Sequence, residues 1–317
     1  MFRKTTTLGV FLVCVAATMW GFDGVVLTPR LWNLDVSFVV FILHALPFLL
    51  MNVILYREYK TFKILEKSDL FYFFLIALFG GALGTLAIVK ALFLVEFKHL
   101  TVVTLLQKLQ PVFAIILARM LLKERLQSRF LLWAGIALIG GYFLTFELQT
   151  PALVNNGNML PAAIYALIAA FSFGSATVFG KRVLNKVSFT TALFYRYGLT
   201  TLIMFFVVLM NGKMSQFAVA TPANWLFFVV IGLTTGSGAI LMYYYGLRYI
   251  RANVATVCEL CFPISSVIFD YLVNKNVLSP VQWAGSLVML VAIYKISTNQ
   301  TAETNNVSNP KGLLEVS

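Results

Sequence analysis

Ten stretches of this chain are apolar for long enough to cross a bilayer, and they follow one another with only short polar breaks. A helix spanning the hydrocarbon core needs about 20 apolar residues. The runs lie at 9–28, 36–56, 70–89, 100–122, 130–146, 159–179, 189–210, 224–245, 253–273 and 281–297. Of 317 residues, 60% are hydrophobic and 11% charged, where a soluble domain carries roughly 25% charge. The expected fold class is therefore all-α integral membrane with ten transmembrane helices, a multi-pass protein of the cell membrane, the bacterial inner membrane being the expected home. Arg3 and Lys4 ahead of Gly9 to Leu27 mimic a signal peptide. No small-residue cleavage site follows that run and nine further runs do, so it reads as a retained first helix. Thr298 to Ser317, rich in Thr, Asn and Ser, reads as a disordered tail at 298–317 because it has little to bury.

The net charge of +12 does not indicate nucleic acid, since the basic residues sit at the ends of apolar runs and not on one amphipathic face. With the N-terminus placed in the cytoplasm, sixteen of the 24 Lys and Arg fall in inner segments and five in outer ones, which makes both termini cytoplasmic. Cys14, Cys258 and Cys261 all lie inside apolar runs. The CxxC at 258–261 has no strand-to-helix turn before it, so these thiols read as small buried residues and not as a redox pair.

An internal repeat organises the runs. Shifting the chain by 152 residues places Gly80 on Gly232, Gly84 on Gly236, Thr104 on Thr256 and Pro111 on Pro263. After a loss of two residues in a loop, Trp133-Ala134-Gly135 falls on Trp283-Ala284-Gly285, and near the start Trp20-Gly21 approximates Phe173-Gly174. Each half holds five helices, an odd number, so the second half enters the membrane from the opposite side. The expected arrangement is an inverted 5+5 repeat, residues 1–150 against 151–297, about a pseudo-two-fold axis in the membrane plane.

These landmarks resemble the drug/metabolite transporter superfamily, and within it the EamA-type ten-helix carriers, over about residues 8 to 297. Pro111 in the fourth run, Leu122-Lys123-Glu124-Arg125-Leu126 after it, and Trp133-Ala134-Gly135 look like the family's fourth-helix proline, Gly-Glu-Arg loop and Trp-Leu-Gly. Lys123 stands where the family's loop has glycine, and in the second half that loop has decayed to Asn274-Lys275-Asn276 while Pro263 and Gln282-Trp283-Ala284-Gly285 remain. Met19-Trp20-Gly21-Phe22 looks like the family's early Trp-Gly. The resemblance implies alternating access around a central cavity and leaves the substrate open, since members move amino acids, nucleotide derivatives, sugar phosphates and drugs.

Ionisable groups at membrane depth mark candidate sites, because each costs several kcal/mol unless it is paired or wet. Asp23, His44, Lys108, Arg196 and Glu259 lie well inside the runs. The 152-residue shift places His44 on Arg196 and Gln107, beside Lys108, on Glu259. Thr256, Glu259, Pro263, Ser266 and Asp270 share a helical face, as do Thr104, Gln107 and Pro111. Such stripes face protein or water. The expected substrate site is Arg196, His44 and Lys108 for an anionic group, Glu259 and Asp23 for a cationic one, with Gln107 and Trp20 completing the lining. Pro111 and Pro263 each free a carbonyl one turn earlier and are expected to kink their helices at the cavity. Tyr243-Tyr244-Tyr245 are expected as interfacial anchors.

The mixed charges point to a secondary transporter for a zwitterion, an amino acid or an amino-acid derivative of the S-adenosylmethionine type. An exporter of lipophilic cationic drugs and a non-transport membrane scaffold are the alternatives. With two histidines and neither HExxH nor GxSxG, no enzyme, metal or cofactor is expected. The partners expected are the small-molecule substrate and the bilayer, with proton coupling or exchange through Asp23, Glu259 or Asp270, in a monomer or weak homodimer.

Overall fold

The computed structural model describes residues 2–96, 103, 106–107, 109–124, 127–148, 159–275, 277 and 279–308. Among them every regular element is helical. In chain order the apolar helices are α1 (Thr5–Leu31), α2 (Val36–Ile54), α3 (Lys67–Leu94), α4 (Gln110–Leu121), α5 (Ser128–Leu144), α6 (Leu160–Leu184), α7 (Phe189–Met210), α8 (Pro222–Leu247), α9 (Ala252–Val273) and α10 (Pro280–Ile296). Seven of these are long and apolar enough to cross a membrane, and α4, α5 and α10 are shorter. The expected fourth span, 100–122, is described as α4 preceded by Val103, Leu106, Gln107 and Leu109. Helical bonding continues beyond α10 to Ser308, into the expected tail. No proline or glycine interrupts the sequence between Ile296 and Ser308.

The outer surface is apolar. Val53, Met120, Met210 and Leu287 stand 76%, 73%, 85% and 63% exposed, a display that only lipid tails tolerate in quantity. Inside, α1 lies along α8 and α9, α6 along α3 and α4, α2 along α7, α4 along α9, and α5 along α10. Small residues allow the closest of these approaches. A Cβ on Gly9 would sit 2.8 Å from the Gly246 carbonyl oxygen, and one on Gly285 would sit 2.7 Å from that of Gly140.

Four of the helices are irregular partway along their length. Widened π turns occupy Asp23–Leu27 in α1, Ile76–Leu83 in α3 and Gly232–Gly236 in α8. Helix α9 breaks at Glu259 and Leu260, between a segment ending at Cys258 and one starting at Cys261. Pro263 has no N–H for the Glu259 carbonyl, which takes the amide of Phe262 instead at 3.0 Å. Ahead of Pro111, one repeat earlier, the chain turns through Leu109 N–H to Leu106 O at 3.1 Å. A tight turn thus stands just ahead of each proline.

Candidate functional site

The irregular turns converge on a cavity of about 250 Å³. A π turn spreads five residues over what four would occupy, turning side chains and carbonyls out of the regular ladder, and such bulges recur at functional sites. Here they deliver Asp23 from α1, the Gly80 backbone from α3 and Thr235 from α8 to the cavity wall. The break in α9 delivers Glu259, and the chain at the start of α4 delivers Gln107 and Gln110.

Glu259 is held by neutral donors from three other helices. Its Oε1 accepts from the Tyr243 hydroxyl of α8 at 2.7 Å and from Thr177 Oγ1 of α6 at 3.2 Å. Its Oε2 accepts from Gln110 Nε2 of α4. The Thr177 and Tyr243 hydroxyls are themselves 2.7 Å apart, so four side chains form one connected network. The Trp20 ring lies beside it, 5.4 Å from that of Tyr243 between centroids.

Arg196 has neutral partners as well. Its Nη1 donates to Tyr244 OH at 3.1 Å and its Nη2 to the Gly80 carbonyl at 2.6 Å. The guanidinium carbon stands 5.7 Å from the centre of the Tyr244 ring, within cation–π range. His44 Nδ1 lies 2.8 Å from the Val40 carbonyl one turn back, and its ring is 5.2 Å from that of Tyr197. That bond makes Nδ1 the donor and leaves Nε2 to accept. Asp23 Oδ1 accepts from Thr28 Oγ1 at 3.2 Å, across its own π turn.

Every described residue of the expected site therefore lines the cavity: Trp20, Asp23, His44, Gln107, Arg196 and Glu259, with Pro111 and Pro263. Lys108 and Thr104 lie outside the described residues. Thr256 joins the lining, whereas Ser266, expected on the same face, returns its hydroxyl to the Phe262 carbonyl at 2.9 Å. The expectation for the tyrosines needs correction. Tyr243 and Tyr244 are buried, at 3% and 0% exposure, and grip the two charges instead of anchoring at an interface. The helix face that carries them is turned toward α1, α6 and α7, so only Tyr245 is left partly exposed. Sequence reasoning also missed Gln110 and Thr177, because an amide and a hydroxyl in an apolar run draw no attention beside full charges. Arg196 and Glu259, expected to take a substrate's anionic and cationic groups, are each bonded to neutral side chains or backbone, with the buried Arg196 Nε left without a partner among the described residues.

The pattern of the EamA-like transporter family matches this chain twice, over residues 7–146 and 160–298. The chain is 65% identical over 290 residues to a protein of Fusobacterium nucleatum subsp. nucleatum named as the riboflavin transporter ImpX, covering 91% of this chain and 97% of that one. An uncharacterized transporter of Synechocystis is 26% identical, over 82% of this chain and 76% of its own. A solved crystal structure superposes with a TM-score of 0.66 over 94% of this chain and 97% of that chain at 14% identity, which speaks to the fold alone. With both halves matched by the same family pattern and a full-length relative at 65% identity, this multi-pass membrane protein belongs to the EamA-like transporter family.

Proposed function

We propose that the protein carries riboflavin across its membrane by alternating access through this cavity. The observation that carries the proposal is the 65% identity, end to end, to a protein named as a riboflavin transporter. This replaces the expectation of an amino acid, an S-adenosylmethionine-type compound or a cationic drug, which that relative's name overturns: its cargo is a vitamin. Riboflavin is an uncharged, flat aromatic ring system bearing a polyhydroxyl chain. The lining suits such a molecule, with aromatic faces at Trp20, Phe173 and Tyr197 and neutral polar groups at Gln107, Thr85 and Thr235. Charges that already have partners inside the protein do not require a charged ligand.

The same proposal includes ten spans in an inverted 5+5 arrangement with both termini cytoplasmic. Several features support it. The neighbours of α1, namely α8 and α9, become those of α6, namely α3 and α4, when each helix is exchanged for the one five places away. The pairs α2 with α7, α4 with α9 and α5 with α10 map onto themselves under that exchange. The π turns of α3 and α8 fall at the equivalent Gly80 and Gly232, and the family pattern matches each half separately.

Purified protein in liposomes should take up radiolabelled riboflavin above protein-free vesicles, with excess unlabelled riboflavin competing and amino acids not. Glu259→Gln and Trp20→Ala should reduce uptake while leaving a folded, monodisperse protein. Uptake no greater than in empty vesicles would overturn the substrate. The same vesicles with an imposed pH gradient distinguish proton coupling from exchange.

A further inference from the structure

The loop between α2 and α3 is a nine-residue 3₁₀ helix, Tyr56–Ile64, at the face of the protein where α2 ends and α3 begins. Runs of this kind longer than three or four residues are uncommon, and residues three apart eclipse one another along them. The sequence Tyr-Arg-Glu-Tyr-Lys-Thr-Phe-Lys-Ile repeats with that period. Tyr56, Tyr59 and Phe62 form an aromatic edge, exposed by 55%, 53% and 55%, of which Tyr59 also packs its ring on Phe194 of α7 and donates its hydroxyl to Asn52 Oδ1 of α2. Arg57, Lys60 and Lys63 form the adjacent edge, and all three are exposed.

On the third edge, Glu58 ties the element to the protein, while Ile64 is 79% exposed. Glu58 accepts from Thr191 Oγ1 at 2.7 Å and Thr190 Oγ1 at 3.2 Å, and its backbone carbonyl accepts from Tyr195 OH at 3.1 Å, all on α7. The acidic groups that follow are also engaged, since Lys186 bridges Glu66 at 3.3 Å and Asp69 at 2.8 Å. Among the described residues, Lys60 and Lys63 meet no acid, and Arg57 meets only the ring and hydroxyl of Tyr56. Three cations thus remain uncompensated beside three exposed aromatic side chains at the level where two spans leave the bilayer.

We infer that this element is a docking edge for the headgroups of anionic phospholipids, with its basic edge on the phosphodiesters and its aromatic edge among the upper acyl carbons. Aromatic rings favour that depth, and basic juxtamembrane residues are attracted to an anionic surface. Glu58, which would repel such headgroups, is turned away into α7.

The test uses the full chain in phosphatidylcholine vesicles doped with spin-labelled phosphatidylglycerol or spin-labelled phosphatidylcholine. Wild type should immobilise the phosphatidylglycerol label in preference, and high salt should weaken the preference. Arg57→Gln, Lys60→Gln and Lys63→Gln together should abolish most of it, whereas Lys186→Gln, which removes a cation already engaged with acids, should preserve it. Equal labelling of both lipids by wild type would overturn the inference, as would a preference unchanged in the triple variant. Inorganic phosphate should not displace the label; displacement at matched phosphorus concentration would mean that the cations read free phosphate and would also overturn it. The triple variant's circular dichroism in the same vesicles checks that it is folded, and Lys60→Gln alone supplies a milder second variant.

Discussion

Replacing Glu124 by alanine removes the link between the α4–α5 loop and the start of α9. The carboxylate accepts from the Ala252 amide at 2.9 Å and from the Asn253 amide at 3.2 Å, two of the donors that a helix start leaves without intrahelical partners. A hydrogen bond to a charged group contributes about 1.5–3 kcal/mol when shielded, and helix N-caps about 1 kcal/mol. Glu124 is partly exposed, so water recovers some of the loss and the cost of Glu124→Ala should be about 2 kcal/mol. For a long chain each kcal/mol shifts the melting midpoint by about 2 °C, giving a fall of about 4 °C. Glu124→Gln keeps one acceptor without the charge and should lose about half as much. The assay is thermal unfolding in one fixed lipid mixture, followed by tryptophan fluorescence. If wild type, Glu124→Gln and Glu124→Ala melt together, the two amides are satisfied by solvent and the link contributes nothing.

Lys123 and Lys275 sit at φ of +54° and +60°, where a side chain costs about 1–2 kcal/mol relative to glycine. Lys123→Gly and Lys275→Gly should each raise the melting midpoint slightly, by about 1 °C after glycine's added chain entropy is counted, and a fall in both would refute the strain at these turns. Tyr243→Phe removes one donor to Glu259 and should destabilise by about 1–3 kcal/mol. Combined with Thr177→Val in a double-mutant cycle it should show coupling, because the two hydroxyls share that carboxylate; additive melting shifts would break up the network. At Asp35, outside the spans, burial pushes the carboxyl up, but the Ser37 hydroxyl and amide and the Lys213 ammonium together hold it below its ordinary value. A depressed carboxyl stabilises the fold above the ordinary range near pH 4 and loses that contribution as pH falls through its own lower value. Asp35→Asn should therefore flatten the acid limb of stability against pH, and an unchanged limb would show that Asp35 does not contribute to it.

Seven of the spans were legible because lipid demands that each crossing segment satisfy its own backbone, which ties a span to an apolar run of fixed length. The runs at 36–56 and 189–210 became Val36–Ile54 and Phe189–Met210 with little shift at their ends. The π turns were not legible. Ile76–Leu83 has an apolar composition that any regular helix would accept, and the extra residue shows only in how the turn meets Thr200 and Arg196 from α7, with Ala77 and Gly80 lending them carbonyls. The cavity was marked by its charges, since an ionisable group inside an apolar run is too costly to keep unless it is paired or faces water. What those charges do was hidden, because their partners Gln110, Thr177, Tyr243 and Tyr244 arrive from other helices. Reading Arg196 and Glu259 as halves of a zwitterion receptor assumed that buried charges wait for a ligand.

The way those charges are held bears on how the cavity can move. A direct ion pair at this depth would be strong, since attraction between unit charges grows steeply as the local dielectric falls, and separating it in each cycle would leave both charges uncompensated. Glu259 instead rests on three separate neutral donors, from α4, α6 and α8, and Arg196 on a hydroxyl of α8 and a carbonyl of α3. Single bonds of this kind contribute about 1–3 kcal/mol each, and on the proposed function each can be exchanged in turn for a hydroxyl or carbonyl of riboflavin. On the same proposal, that exchange falls where α9 is already broken at Glu259 and α3 already widened at Gly80, in backbone that has already left the regular helical ladder. Neutral wrapping of the charges and irregular backbone beneath them thus meet at one polar centre, held by bonds that can be broken one at a time, with the buried Arg196 Nε left as a donor that has no partner among the described residues.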